Sequence, residues 1–351
     1  MLLDETIREI GPLNRSNEST VQSHLDSLTK PPGSLGRLEE LARRIVVIQK
    51  KQPPRLGRKL LFVFAADHGV TEERVSAYPK AVTAQMMYNF LQGGAAINVL
   101  ARHYGIATEI VDVGVDHEFP ALDRLRRRKI RRGSANFTHG PALTREEAQS
   151  SVETGIELVR EAVAGDLFLL GAGDMGIGNT SSASAIFCAL TGASPADVVG
   201  RGTGIDDSTL ARKIAAIEKG LEINRPDPRD ALDVLQKVGG LEIGAITGVI
   251  LAAAAFRIPM VLDGFISAAA ALLAQQFCPH VRDILFASHL SAEKGHRRLL
   301  EALQLTPVLD LSMRLGEGTG ACLLMGLIEA SVKIYAEMAT FASAGVQEKF
   351  S

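Results

Sequence analysis

The sequence predicts an α/β protein whose mostly parallel sheet carries helices on both faces. Three observations support this. Five short apolar runs each end in a polar or glycine-rich turn, and segments with helical periodicity separate them. The apolar share is 46% with only 5% aromatic residues and no Trp, so the core is aliphatic, while 33 glycines suit close helix-on-sheet packing and tight turns.

In chain order, residues 1–27 predict one short polar-faced helix. The linker Leu28-Thr-Lys30-Pro31-Pro32-Gly33-Ser34 fixes an extended entry into a helix that Ser34 is placed to cap. The first strand is Leu60–Ala66, running into Asp67-His68-Gly69, and helical spacing follows over Val82–Tyr104. A second strand, Thr108–Val113, runs into Gly114-Val115-Asp116. Arg124–Arg132, with seven Lys/Arg in nine residues, reads as an exposed connection and edge strand, because acids lie just upstream and no aromatic interleaves the charges. Thr144–Ala164 is helical. Asp166–Leu170 is the third strand, leading into Gly171-Ala-Gly173-Asp174-Met175-Gly176. Helices are expected over Ser181–Leu190 and Ser208–Ile223, and Ile243–Phe256 reads as a buried helix too short to span a bilayer. Strands Ile258–Leu262 and Asp283–Ala287 run into Asp263-Gly264 and Ser288-His289. Leu299–Leu305 and Gly320–Ala342 are helical with no strand between them. The organisation expected is therefore a large Rossmann-like α/β domain, 28–298, with a small helical subdomain built from 1–27 and 299–351. Ligands of such sheets bind beyond the carboxyl ends of the strands, where Asp67, His68, Asp116, Asp174, Asp263, Ser288 and Lys294 all fall.

Composition narrows the function. A formal charge of −2 provides no field to recruit nucleic acid or an acidic membrane, which points to a small-molecule partner. Cys188, Cys278 and Cys322 are odd in number, far apart and set among apolar residues, so they read as reduced core thiols of a cytoplasmic protein. The acid-rich opening segment is not expected to be a secretory signal.

Three glycine-rich loops are candidates for chemistry. Gly171–Gly176 satisfies the G-x-G-x-x-G spacing of a dinucleotide fold, but the turn runs on to Ser182 and Asp197 precedes its apolar run instead of closing it. The longer loop still offers backbone N–H groups at a helix start, as an anion requires. Gly200-Arg201-Gly202-Thr203-Gly204 leads to Asp206-Asp207, either of which is placed to cap a helix, and to Lys213, which lies either on a solvated face or back over the loop as a phosphate charge. In Gly316-Glu317-Gly318-Thr319, a carboxylate between glycines is either an uncrowded functional acid or a helix-start acid with Thr319 as cap. No second histidine stands at metal-ligand spacing from His68, so a hydrogen-bonded His at a strand end is expected there, and no G-x-S-x-G elbow occurs.

The segments Leu28-TKPPGSLGRLE, Ala66-DHGV, Ser76-AYPKAVTAQM, Gly93-GAAINVLAR, Gly173-DMGIGNT, Val199-GRGTG, Val261-LDGF, Ala287-SHLSAEKGH and Met313-RLGEGTGA, in this order over about residues 28–330, resemble the nicotinate-nucleotide:dimethylbenzimidazole phosphoribosyltransferase family. The resemblance implies transfer of phosphoribose from nicotinate mononucleotide to a benzimidazole base, without metal or cofactor, by a homodimer. It also implies Glu317 as the general base. Asp174, Gly173, Met175, Gly176, Gly202, Gly204 and Lys213 are implied at the ribose-phosphate end, and Tyr78, Gln85, Met86 and Leu315 around the aromatic base. Gly316 and Gly318 flank the base residue, while Ser291, Arg314 and Lys294 lie nearby. Some members have Glu where this chain has Asp174. An NAD(P)-dependent oxidoreductase, resting on Gly171–Gly176 alone, and a non-enzymatic nucleotide-binding protein are the alternatives.

Overall fold

The computed structural model describes residues 1–202 and 204–347. Thr203 of the second glycine loop and the last four residues of the expected helical subdomain lie outside the described residues. Six strands form one sheet: β1 (Arg58–Ala66), β2 (Ala107–Gly114), β3 (Leu125–Arg127), β4 (Leu167–Met175), β5 (Met260–Leu262) and β6 (Leu285–Ala287). The spatial order is β3-β2-β1-β4-β5-β6 with every neighbouring pair parallel. This is the doubly wound order, and its switch point, where a ligand crevice opens, lies between β1 and β4. The continuous apolar runs follow from burial on both faces: eight of the nine residues of β1 are buried.

The helices are α1 (Leu2–Glu9), α2 (Glu18–Ser27), α3 (Arg37–Gln49), α4 (Val82–Gln92), α5 (Ala96–Tyr104), α6 (Arg145–Ala162), α7 (Asn179–Thr191), α8 (Pro195–Val198), α9 (Asp207–Asn224), α10 (Ala231–Val238), α11 (Leu241–Ala255), α12 (Phe265–Phe277), α13 (His296–Ala302), α14 (Thr319–Glu337) and α15 (Phe341–Ala344). Helices α6 and α11 pack closely because Gly155 and Gly248 let their backbones meet: a Cβ at Gly155 would stand 2.0 Å from the Ala245 carbonyl oxygen. The main core runs through both faces of the sheet, and α1 joins it against α6 and α11. A second, small cluster joins Val21, Leu25 and Leu28 to Ala42 and Val46 of α3 and to Tyr335 near the end of α14. Helix α14 is long and apolar enough to cross a bilayer; it is packed here against α3, α5 and β4.

Four local expectations change. The opening segment forms two helices, not one. The Val82–Tyr104 helix is broken after Gln92, because Gly93 at φ 80° terminates α4 and Gly94 and Ala95 lead into α5. Ser34 does not cap α3; Gly36 occupies that position at φ 53°. Thr319 is the first residue of α14 and Gly318 is its N-cap. The run Arg124–Arg132 includes the edge strand β3, with its charges paired locally: Arg126 and Arg128 with Glu161, Arg131 with Glu147 at 3.0 Å and Arg132 with Glu118 at 2.8 Å.

Candidate active site

At the carboxyl ends of β4, β5 and β6 lies a cavity of about 390 Å³, a size suited to a small molecule. Its lining joins segments far apart in sequence: Tyr78, Val82 and Met86; Asp174 to Ile177 with Asn179 and Thr180; Gly202; Gly264 to Ile266; His289, Ser291 and Glu293; and Arg314 to Glu317. One wall is apolar, made by Val82, Met86 and Ile177 with Tyr78 and Leu315 at the mouth, the last two 53% and 58% exposed.

Glu317 forms the centre. Three successive residues, Gly316, Glu317 and Gly318, have φ of 83°, 62° and 94°. For Glu317 that left-handed conformation costs about 1–3 kcal/mol and persists only where its surroundings hold it. They do so from three sides. Gly173 of β4 lies directly beneath, where a Cβ would stand 2.2 Å from the Glu317 carbonyl carbon and oxygen. The Asp263 carboxylate, at the end of β5, accepts the N–H of Gly318 at 2.9 Å on Oδ2 and those of Gly320 at 2.7 Å and Ala321 at 3.3 Å on Oδ1. It therefore supplies to α14 the cap that its N-cap glycine lacks. Third, Glu317 Oε2 accepts the N–H of Ile97, in the first turn of α5, at 3.3 Å. The Glu317 side chain is only 5% exposed. Burial pushes its carboxyl above the usual range, the Ile97 N–H works against that, and the Asp263 charge adds to it.

Asp174, the penultimate residue of β4, lies beside this turn, 8% exposed, with Oδ1 accepting from Asn179 Nδ2 at 2.8 Å. Burial raises it well above the carboxylate range, and the Asp263, Glu242 and Glu317 charges raise it further. His289 lines the same wall, and the neighbouring Ser288 hydroxyl donates to the Asp263 carbonyl at 2.6 Å.

A helix start and a lysine meet beside the cavity. Gly178 is the N-cap of α7 at φ 95°, and the first two residues of that helix, Asn179 and Thr180, line the cavity. Lys213 returns over the glycine loop: its Nζ donates to Thr180 Oγ1 at 2.7 Å, and it lies 3.5 Å from where a Cβ of Gly202 would be. A small adjoining pocket brings Lys213 together with Ser76, Gly176, Thr180, Arg201 and Gly202. Lys213 is 2% exposed, and burial lowers its pKa to about 8 against the opposing pull of Glu293.

Of the residues singled out from sequence, Tyr78, Met86, Asp174, Met175, Gly176, Gly202, Ser291, Leu315, Gly316 and Glu317 line the cavity, as does Arg314. Gly173 and Gly318 do not; they pack beneath the Glu317 turn, Gly318 against Leu61. Lys213 reaches the cavity through its smaller extension. Gln85 on α4 and Gly204 are exposed outside the lining, and Lys294 turns away to the Ala196 carbonyl at 2.6 Å. Residues missed from sequence include Asn179, Thr180, Phe265, Ile266 and Glu293. Of these, Asn179 and Thr180 carried a signal, the polar helix start after Gly178. His68 is the hydrogen-bonded strand-end histidine expected, buried with Nε2 2.7 Å from Glu242 and Nδ1 3.1 Å from Ser182 Oγ. Among the described residues no three His, Cys, Asp or Glu side chains gather as a metal site would require.

The spacing Gly171–Gly176 has its own explanation. Gly171 and Gly173 lie inside β4, where α14 and the Glu317 turn press on the strand, and a Cβ on Gly176 would stand 2.4 Å from the Ala66 carbonyl oxygen. These glycines serve chain-on-chain packing, not a strand-to-helix dinucleotide turn.

The comparisons agree with this architecture. The sequence model of a family described as Phosphoribosyltransferase matches residues 10–346. A protein of Geobacter metallireducens named nicotinate-nucleotide–dimethylbenzimidazole phosphoribosyltransferase is 55% identical over 99% of this chain and 98% of its own length. One of the same name from Chloroflexus aggregans is 53% identical over 99% of both. A crystal structure of the so-named enzyme from Thermus thermophilus superposes with a TM-score of 0.91 at 48% identity, covering 96% of this chain and 100% of the other. The chain is thus an enzyme of the nicotinate-nucleotide:dimethylbenzimidazole phosphoribosyltransferase family.

Proposed function

We propose that this phosphoribosyltransferase moves the phosphoribosyl group of nicotinate mononucleotide to 5,6-dimethylbenzimidazole, giving α-ribazole 5′-phosphate and nicotinate for the lower ligand of cobalamin, with inversion at C1′ and Glu317 as general base. The observation that supports the reading is a cavity whose lining joins the buried Glu317 carboxylate to the apolar Val82, Met86 and Ile177, with Lys213 in the pocket that adjoins it. The names of the relatives support the choice of substrates.

The chemistry follows from the groups. The nucleotide's 5′-phosphate sits at the start of α7 with Lys213, Gly202 and Ser291 around it. Its glycosidic bond joins C1′ to a pyridinium nitrogen. When that bond breaks, the electron pair returns to the ring, which leaves without needing a proton. Dimethylbenzimidazole lies in the slot of Tyr78, Val82, Met86 and Leu315 and attacks C1′ from the opposite face through one ring nitrogen. As that bond forms, the other ring N–H becomes acidic and Glu317 accepts its proton. Burial raises both the Asp174 and the Glu317 carboxyls above the usual range, and Glu317, in the turn beside Leu315 of the slot, is the one assigned to take the proton. Asp174 faces the ribose, one methylene shorter than the Glu of some family members.

The reaction is placed in the cytoplasm, a reading that the three buried free thiols support. The assembly is read as a homodimer, and sedimentation at micromolar concentration is expected to give twice the chain mass. The functional reading is tested by mixing protein, nicotinate mononucleotide and dimethylbenzimidazole and separating the products. Nicotinate is expected in step with loss of the benzimidazole, and none above the protein-free control would refute the assignment.

A further inference from the structure

We propose that Asp263 is a positioning residue for the transfer, holding the Glu317 carboxylate at the reacting nitrogen by tying the left-handed Gly316–Glu317–Gly318 turn to the end of β5. The inference rests on the assignment of Glu317 as the base.

The Asp263 side chain is 1% exposed and does not line the cavity, so it has no route to substrate. Both of its oxygens accept backbone N–H groups, Oδ2 from Gly318 and Oδ1 from Gly320 and Ala321. The first of these bonds is on the residue directly after Glu317. Among the described residues the Glu317 side chain has one hydrogen-bond partner, the Ile97 N–H at 3.3 Å, and its positive φ is unfavourable for a residue with a Cβ. A buried carboxylate is expensive unless its neighbours use both oxygens, and this one is used by the turn and helix that carry the base. The attachment of β5 fixes the other end: Val261 pairs with Gly171 of β4, and Leu262 with Ala172, next to the Gly173 on which the turn rests. Strand, carboxylate and turn therefore form one rigid unit whose product is the direction of the Glu317 side chain.

The isosteric change Asp263→Asn shows why charge-free mimicry fails. Its NH₂ group must face either the Gly318 N–H or the Gly320 and Ala321 pair, a donor against a donor, and the turn must move. A displacement of about 1 Å at a catalytic group costs roughly 100-fold. The test compares four proteins: wild type, D263N, E317Q and the double variant. Folding is checked by circular dichroism and nucleotide affinity by calorimetry. D263N is expected to lose roughly 100-fold in kcat with nucleotide affinity within about threefold of wild type. In the E317Q background the same change is expected to alter the residual rate by less than about twofold, because a group that acts only through Glu317 has nothing left to position. Should D263N not fold, D263E carries the same comparison: a kcat loss that vanishes when Glu317 is Gln. A folded variant that keeps a third or more of kcat, or one whose loss multiplies onto that of E317Q, overturns the proposal. An active E317Q overturns the base assignment itself and the positioning claim with it, whereas an inactive E317Q beside an active D263N overturns the positioning claim alone.

Discussion

Glu317→Gln is the sharpest perturbation the site allows. The carboxamide has the shape of the carboxylate and retains an oxygen to accept the Ile97 N–H at 3.3 Å, so the left-handed turn and the cavity wall stay in place. What disappears is the proton acceptor. General-base contributions run about 10²–10⁴ in rate. Efficiency rises as the base's pKa nears the working pH, and burial has moved Glu317 upward. The middle of that range, about 10³-fold in kcat, is roughly 4 kcal/mol of barrier at 1.36 kcal/mol per decade. Substrate KM values should stay near wild type, because the proton is transferred only as the new bond forms. The pH dependence gives a second reading. The base works only when ionised, so wild-type kcat is lost as pH falls through the folded Glu317 pKa, on a limb lying above the ordinary carboxylate range. Steady-state release of nicotinate, followed chromatographically across pH, measures both. A variant with kcat within about threefold of wild type, or one that retains the same acid limb, would rule out Glu317 as the base.

Lys213→Met should raise KM for the nucleotide by about 10–100-fold, the loss of one charge-assisted bond, with a smaller effect on the benzimidazole; equal effects on both would contradict a phosphate role. In the wild-type protein Lys213 is charged below a pKa of about 8 and neutral above it, so nucleotide KM should climb as pH rises through that value, and a flat profile would count against the contact. Gly173→Ala places a Cβ 2.2 Å from the Glu317 carbonyl and should cost kcat roughly 100-fold; a kcat unchanged in the folded variant would show that the turn does not depend on β4. Thr144→Ala removes the capping box of α6, remote from the site, and should lower stability to urea by about 1 kcal/mol with turnover intact.

How much of this was legible in the sequence depended on how local its cause was. Strands β1 and β4 are plain because double burial makes them continuous apolar runs. The edge strand β3, three residues inside a basic run, was legible from its charge pattern, since it has little apolar surface to announce it. The break between α4 and α5 was written in Gly93-Gly94 and overridden by the helical spacing on either side. For Lys213 the sequence left two positions open, and only the return of α9 over the glycine loop decides between them. The G-E-G turn was readable as uncrowded, but not the reason for it: Gly173 lies 144 residues before Glu317, and Asp263 lies 55 before Gly318. Likewise the carboxylate's N–H partner, Ile97, is 220 residues away. Contacts of that separation leave no periodicity in the chain.

An inverting transfer from nicotinate mononucleotide to dimethylbenzimidazole fixes the configuration at C1′ of the product, and that configuration is the decisive observable. Protein incubated with nicotinate mononucleotide and dimethylbenzimidazole should give one benzimidazole nucleotide whose proton spectrum shows the α linkage, with one nicotinate released for each. A β-linked product, a mixture of the two linkages, or no benzimidazole nucleotide at all would contradict it.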